Sequence, residues 1–207
     1  MYSPGGDFIL SAGSGDWILR WNTKTGNYSR FLEAGSKARA AISADGRYVA
    51  VADHNLTVHQ LDSPEGQDNV CYFTREAEQV AFSPCGHWMA SGDSNGIVSL
   101  RNLPLTEGAT EGARELEGHE DAIEQVKFSP NGRWLISLCL NMVVCLWDTE
   151  SAECIEEFHF SGSCVSFSPC GGMLAVVDDD SVRVWDLHRK KDVIFMKGQD
   201  AFPHLIS

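Results

Sequence analysis

The chain has 207 residues, 43% of them hydrophobic, and a formal net charge of −13 at pH 7. This is ample apolar material for one buried core. The acidity opposes contact with phosphate backbones, so nucleic acid is not an expected partner and basic peptides or protein surfaces are better matched.

The most apolar long window, Leu135 to Trp147, is too short to span a bilayer and is interrupted by Ser137 and Asn141. It reads as two strands around a tight turn, and no membrane association is expected. The seven cysteines are odd in number and form no CxxC pair. A reduced intracellular, cytoplasmic protein fits them better than a disulfide framework. Met1–Gly6 lacks the basic-then-apolar pattern of a secretion signal.

Taken in order, the chain repeats one layout. A strand ends in an aromatic or aliphatic residue, a Ser-Pro-x-Gly turn follows, and a second strand leaves the turn. Proline presets φ in such a turn and glycine accepts positive φ. The turns are Ser3-Pro4-Gly5-Gly6, Ser43-Ala44-Asp45-Gly46, Ser83-Pro84-Cys85-Gly86, Ser129-Pro130-Asn131-Gly132 and Ser168-Pro169-Cys170-Gly171. Their serines are spaced by 40, 40, 46 and 39 residues. After the turn come a strand such as Trp134–Ser137, a short turn, a third strand ending near Trp147-Asp148, and a fourth such as Cys154–Phe158. Short strands with regular turn signals predict an all-β fold, and a fixed period near 40 predicts a repeat architecture. The longer third interval carries a Gly-, Thr- and Glu-rich insertion at Leu103–Ala113, expected as a surface loop between third and fourth strands.

Gly118-His119, the Phe128–Gly132 turn and Leu146-Trp147-Asp148 resemble the signature of the WD40-repeat family. The resemblance covers essentially the whole chain. It implies a single WD40-type β-propeller domain over residues 1–207, with about five four-stranded blades. The copies run approximately 1–25, 26–65, 66–105, 113–150 and 151–188, with 192–207 completing the first blade. Asp192–Met196 is expected as a fourth strand and Phe202–Ile206 as a first. Two alternatives stay open, a closed five-bladed ring and a fragment of a larger propeller, which would self-associate through open edges.

The family's repeats also bury a network of His, Ser or Thr, Asp and Trp. The resemblance places its members at His119, Ser137, Asn141 and Trp147 in the fourth copy, and at Ser91, Asn95 and Arg101 in the third. The second has Val51, Asn55 and Leu61, the fifth Val176 and Trp185, and the first Ser11 and Trp21, with Asp16 about one place off. No copy carries the full set.

In a propeller, the turns between second and third strands share a rim with the connectors entering each blade. That rim collects Asp53, Asp93, Glu120, Asp121, Asp178, Asp179, Asp180 and Asp200, against few cations, chiefly Lys37 and Arg39. The opposite rim collects Lys24, Arg47, Arg133, Arg189, Lys190 and Lys191. The acidic residues are candidate contacts for a basic partner; the competing reading is that aspartate is common in turns for backbone reasons.

Catalytic signatures are absent. Gly13–Asp16 sits in a strand–turn–strand pattern, not a nucleophile elbow. Cys85 and His87 have no second ligand pair for zinc, and Asp178–Asp180 lacks the glycine and terminal glutamate of an EF-hand loop. The expectation is a non-catalytic interaction scaffold or adaptor without cofactor or metal. The alternatives are a propeller hydrolase or lyase with a central-channel site, and the sensor-end fragment of a larger signalling protein.

Overall fold

The computed structural model describes residues 1–12, 15–61, 70–73, 76–103, 113–159, 164–178 and 181–197. Among these residues there is no helix. Five antiparallel sheets follow one another in chain order. The first holds β1 (Phe8–Ser11), β2 (Trp17–Asn22) and β3 (Tyr28–Glu33), with Tyr2 bridged to Ile9 on its inner side. The second holds β4 (Arg39–Ile42), β5 (Tyr48–Asp53), β6 (Asn55–Gln60) and β7 (Val70–Phe73). The third holds β8 (Gln79–Phe82), β9 (Trp88–Gly92), β10 (Val98–Asn102) and β11 (Arg114–Leu116). β12 (Ile123–Phe128), β13 (Trp134–Cys139), β14 (Val143–Asp148) and β15 (Cys154–His159) make the fourth. β16 (Cys164–Phe167), β17 (Met173–Asp178), β18 (Ser181–Asp186) and β19 (Lys191–Lys197) make the fifth.

The turn chemistry explains where each sheet begins. The Oγ of Ser3, Ser43, Ser83, Ser129 and Ser168 accepts from the backbone N–H five residues on, at 2.9–3.1 Å. The same serine's N–H donates to that residue's carbonyl, and the turn glycine donates to the serine carbonyl. Each of those glycines has φ between 70° and 75°, which an L side chain adopts only with strain. The turns also abut. A Cβ on Gly46 would meet Pro4, one on Gly132 would lie 2.5 Å from Cys85 Sγ, and one on Gly171 would press on Asn131. Glycine therefore serves both the φ and the approach of the neighbouring sheet.

Apolar clusters join the sheets in sequence. Leu10 and Ile18 pack on Val49 and Val51, Leu56 and Val58 on Val80 and Met89, and Leu100 and Leu116 on Leu135 and Trp147. Ile136, Leu146 and Phe158 pack on Leu174, Val176 and Trp185. One face of each interior sheet meets the sheet before it and the other meets the sheet after. Among the described residues, no such cluster joins the fifth sheet to the first.

Two expectations change on this frame. Asp192–Met196 is indeed a fourth strand, but within β19 it pairs with β18 and completes the fifth sheet, not the first. Phe202–Ile206 lies outside the described residues. In the second sheet, Leu61 is not the counterpart of tryptophan. Trp21 lies opposite Ile9 and Trp147 opposite Leu135, and the corresponding partner of Val49 is His59. The second sheet's central turn is short, Asp53 pairing directly with Asn55 around His54 at φ 56°, and this displaces a count made along the sequence. The insertion at Leu103–Ala113 does separate β10 from β11; its residues 104–112 lie outside the described residues.

The polar network is fullest in the fourth sheet. Trp147 Nε1 donates to Ser137 Oγ at 2.7 Å, and His119 Nε2 lies 2.6 Å from the same oxygen. In the first sheet Trp21 Nε1 donates to Ser11 Oγ at 2.8 Å. In the fifth, Val176 stands where those serines stand, and the buried Trp185 Nε1 has no partner among the described residues. An unsatisfied buried donor is costly.

Two stability measurements check this account. Ser129→Ala removes a fully buried hydroxyl that accepts from Trp134 and donates to Asn131 at 2.6 Å, so chemical denaturation should show a loss of about 2 kcal/mol. Val176→Thr supplies a hydroxyl to Trp185 with little change of volume. It should raise stability by about 1 kcal/mol, and the gain should vanish in a Trp185→Phe background.

Candidate interaction rim

The second-to-third-strand turns and the connectors into each sheet meet at one end of the molecule because they hydrogen-bond to each other. Ala77 N donates to His54 O, Ile123 N to Asp93 O, and Leu140 N to Ala122 O, at 2.9–3.2 Å. Gly96, at φ 85°, lies so close to the next connector that a Cβ would stand 2.7 Å from His119 O and 2.9 Å from Asp121 O. Asp53, Asp93, Glu120 and Asp121 lie on these turns and connectors.

These carboxylates are not equally available. Asp93 is only 7% exposed, and its Oδ1 accepts from Asn95 N at 2.9 Å and Ile97 N at 2.8 Å. Asp53 Oδ2 accepts from Gly35 N at 2.5 Å and pins the connector into its own sheet, where a Cβ on Gly35 would collide with the carboxylate. Asp121 Oδ1 accepts from Ala122 N at 2.8 Å. For these three the backbone role of turn aspartate is realised. Glu120 is exposed. Asp178 ends β17 opposite Ser181, while Asp179, Asp180 and Asp200 lie outside the described residues.

The rim also holds acids that a turn-based reading misses. Glu33, Glu76 and Glu117 are exposed in or beside the connectors, and Glu78 lies 3.9 Å from His54. Glu76 accepts from Ser94 Oγ at 3.0 Å across the turn. Their signal in the sequence is position within the stretches that lead into β4, β8 and β12. Lys37 and Arg39 are exposed on the same end.

The opposite rim is less purely basic than expected, because its cations are paired locally. Lys24 lies 3.4 Å from Asp7, Arg133 3.8 Å from Asp148, and Arg189 3.6 Å from Asp186. Backbone N–H groups of Arg189 and His188, with the Arg189 charge, hold the Asp186 carboxyl below the usual carboxylate range. At Asp45 partial burial works the other way. It is outweighed by the Ser43 hydroxyl and by the backbone N–H and charge of Arg47, which hold that carboxyl low too. Such exposed pairs contribute little to stability, but they cancel field on that rim.

Among the described residues no three His, Cys, Asp or Glu side chains are grouped to hold a metal ion. Among the described residues, no helix is long and apolar enough to cross a membrane. His119 is buried against Ser137 and Trp147, with Cys145 Sγ 3.8 Å from its Nδ1. Burial lowers its pKa from 6.5, outweighing the opposing pull of the Glu157 charge and Ser137. It is a neutral structural residue.

A family model described as WD domain, G-beta repeat (WD40) matches residues 75–102, 111–148 and 153–186. The second and third matched segments each contain one sheet's outer strand and the three inner strands of the next. Over 102 residues the chain is 28% identical to the Homo sapiens protein described as WD repeat and HMG-box DNA-binding protein 1. That match covers 48% of this chain and 9% of the relative, so the chain spans far less than two thirds of that protein's length.

His119 makes stability depend on pH. Its folded pKa lies below 6.5, so at and just below pH 6.5 the unfolded chain takes up the proton first. The His119 contribution is complete above that pH and falls away as pH drops through it. Thermal unfolding between pH 7.5 and 5.5 should show a falling midpoint, and His119→Gln should flatten the dependence while lowering the midpoint at neutral pH.

Proposed function

We propose that this chain, which belongs to the WD40-repeat family, is a non-catalytic interaction scaffold whose acidic rim docks a basic peptide or protein surface. The five sheets act as successive blades of a β-propeller in this reading, and the protein works inside the cell. The observation that carries the reading is the convergence of Glu76, Glu117 and Glu120 with the turn aspartates on one end of the sheet stack. Two connectors, those leading into β8 and β12, supply these glutamates, and their backbones are hydrogen-bonded to the strand turns beside them, so a partner would meet a preorganised surface. Long-range steering by a net charge of −13 would speed encounter with a basic ligand.

The name of the human relative includes DNA binding. The matched region is 9% of that protein, and the charge of this chain disfavours direct contact with phosphates. A basic protein is the better fit for the segment.

Binding of Lys- and Arg-rich peptides by isothermal titration calorimetry tests this reading. Glu76→Gln, Glu117→Gln and Glu120→Gln together should weaken binding about tenfold, at about 0.5 kcal/mol per rim contact. Replacing Asp178, Asp179 and Asp180 with Asn should weaken it further, and added salt should do the same. Binding that ignores both the substitutions and the salt would overturn the acidic-rim assignment.

A further inference from the structure

Two cysteines of the fourth sheet lie on neighbouring strands and share a face. Cys145 sits within β14, and Cys154 opens β15, the outer strand. The ladder between them runs Cys145–Glu157, Leu146–Glu156 and Trp147–Cys154, so Ile155 is bulged out. Without that shift Ile155 would stand opposite Trp147, and Cys154 would belong to the other face. With it, Cys154 stands two places along the ladder from Cys145, on the side that carries Cys145 and Trp147. The two thiols are hydrogen-bonded to each other. The Cys154 thiol also donates to Glu156 O at 3.6 Å, which holds its side chain in place.

The pair is asymmetric in access and in charge. Cys154 is exposed, whereas Cys145 is fully buried, its Sγ 3.8 Å from His119 Nδ1. The hydrogen bond from Cys145 pulls the Cys154 thiol below its ordinary pKa, outweighing the desolvation and the Glu157 and Glu156 charges that oppose it. The same bond, together with burial, pushes the Cys145 thiol up. A reactive thiol is one that is both ionised and within reach of solvent, so both properties select Cys154. Cys170 is also exposed, and the Ser168 hydroxyl at 3.3 Å lowers its pKa, but a hydroxyl neighbour cannot close a disulfide.

We propose that Cys154 is a reversible oxidation site for hydrogen peroxide, with Cys145 as its resolving thiol. The Cys154 thiolate attacks one peroxide oxygen. The S–O bond forms, the O–O bond breaks and hydroxide leaves, so the sulfur is oxidised to a sulfenic acid and the peroxide is reduced. The Cys145 sulfur then attacks the Cys154 sulfur. The S–S bond forms, the S–O bond breaks, and the sulfenic hydroxyl departs as water with the Cys145 proton. The product ties β14 to the outer strand and commits the sulfur beside His119. A thiol reductant restores the resting pair, which suits a chain whose other thiols stay reduced.

Disulfide mapping on the full folded chain is the test. The chain is treated with hydrogen peroxide, the remaining thiols are alkylated, and unreduced fragments are mapped by mass spectrometry. Cleavage after Glu150 and Glu153 separates Cys145 from Cys154. A fragment linking Cys145 to Cys154 should form at least about tenfold faster than in the chain unfolded in urea, and dithiothreitol should remove it. In Cys145→Ser the sulfenic acid should persist on Cys154 and be captured by dimedone. Cys154→Ser should leave Cys145 reduced. Cys154 is exposed, so this variant should unfold at the wild-type midpoint, and it carries the test should Cys145→Ser misfold. Linkage of Cys154 to a different cysteine would overturn the proposal. So would a Cys154 that stays reduced while Cys170 is oxidised, or a linkage that forms no faster in the folded chain than in the unfolded one.

Discussion

Five turn serine hydroxyls, four of them buried, accept from the backbone five residues ahead, and the rest of the architecture depends on them. Each closes a turn that reverses the chain from a sheet's inner strand into its second strand. The glycine three residues on lets the backbone pass through positive φ, and at Gly46, Gly132 and Gly171 it also leaves room for the neighbouring turn. One local device thus sets strand direction, register and the separation of successive sheets. Its third position varies freely among Gly5, Asp45, Cys85, Asn131 and Cys170 because that side chain only supplements the serine's bond. Cys85 and Cys170 are explained by this position and need no redox role.

Sheet-to-sheet packing is the second constraint, and it is satisfied unevenly. The fourth sheet combines an apolar layer with a buried Trp147–Ser137–His119 network in which one hydroxyl serves two rings. The fifth keeps the tryptophan and loses the hydroxyl, and the third replaces the tryptophan with buried Arg101. In low-dielectric surroundings such differences change the cost of each interface. The sheets therefore share geometry without sharing stability. The outermost sheets, each covered on one side only among the described residues, differ most from the interior ones.

The acidic rim follows from the same topology. Turns and connectors have to meet at one end when every sheet runs inner strand to outer strand in the same sense. Placement alone does not make a carboxylate available. Asp93 and Asp53 spend their oxygens on backbone N–H groups, whereas the connector glutamates face solvent. On the other rim, acids beside Lys24, Arg133 and Arg189 neutralise charge that looked unopposed along the chain.

The sequence by itself determined the all-β class, the period, the turn positions and the strands that leave them, because serine hydroxyls and positive-φ glycines act within six residues. It also identified Ser137, Trp147 and His119, whose spacing is kept by two well-formed strands. Tertiary structure alone decided what depends on partners distant in sequence. His59, not Leu61, takes the tryptophan position because register across a shortened turn outranks a count along the chain. Asp192–Met196 belongs to the fifth sheet because its backbone finds β18 first. Asp93 turns inward while Glu120 turns outward because only one of them lies within reach of unpaired N–H groups. Which apolar positions are buried is invisible to composition, since Met173 and Trp134 occupy the same place after their turn serines, yet Trp134 is buried and Met173 exposed.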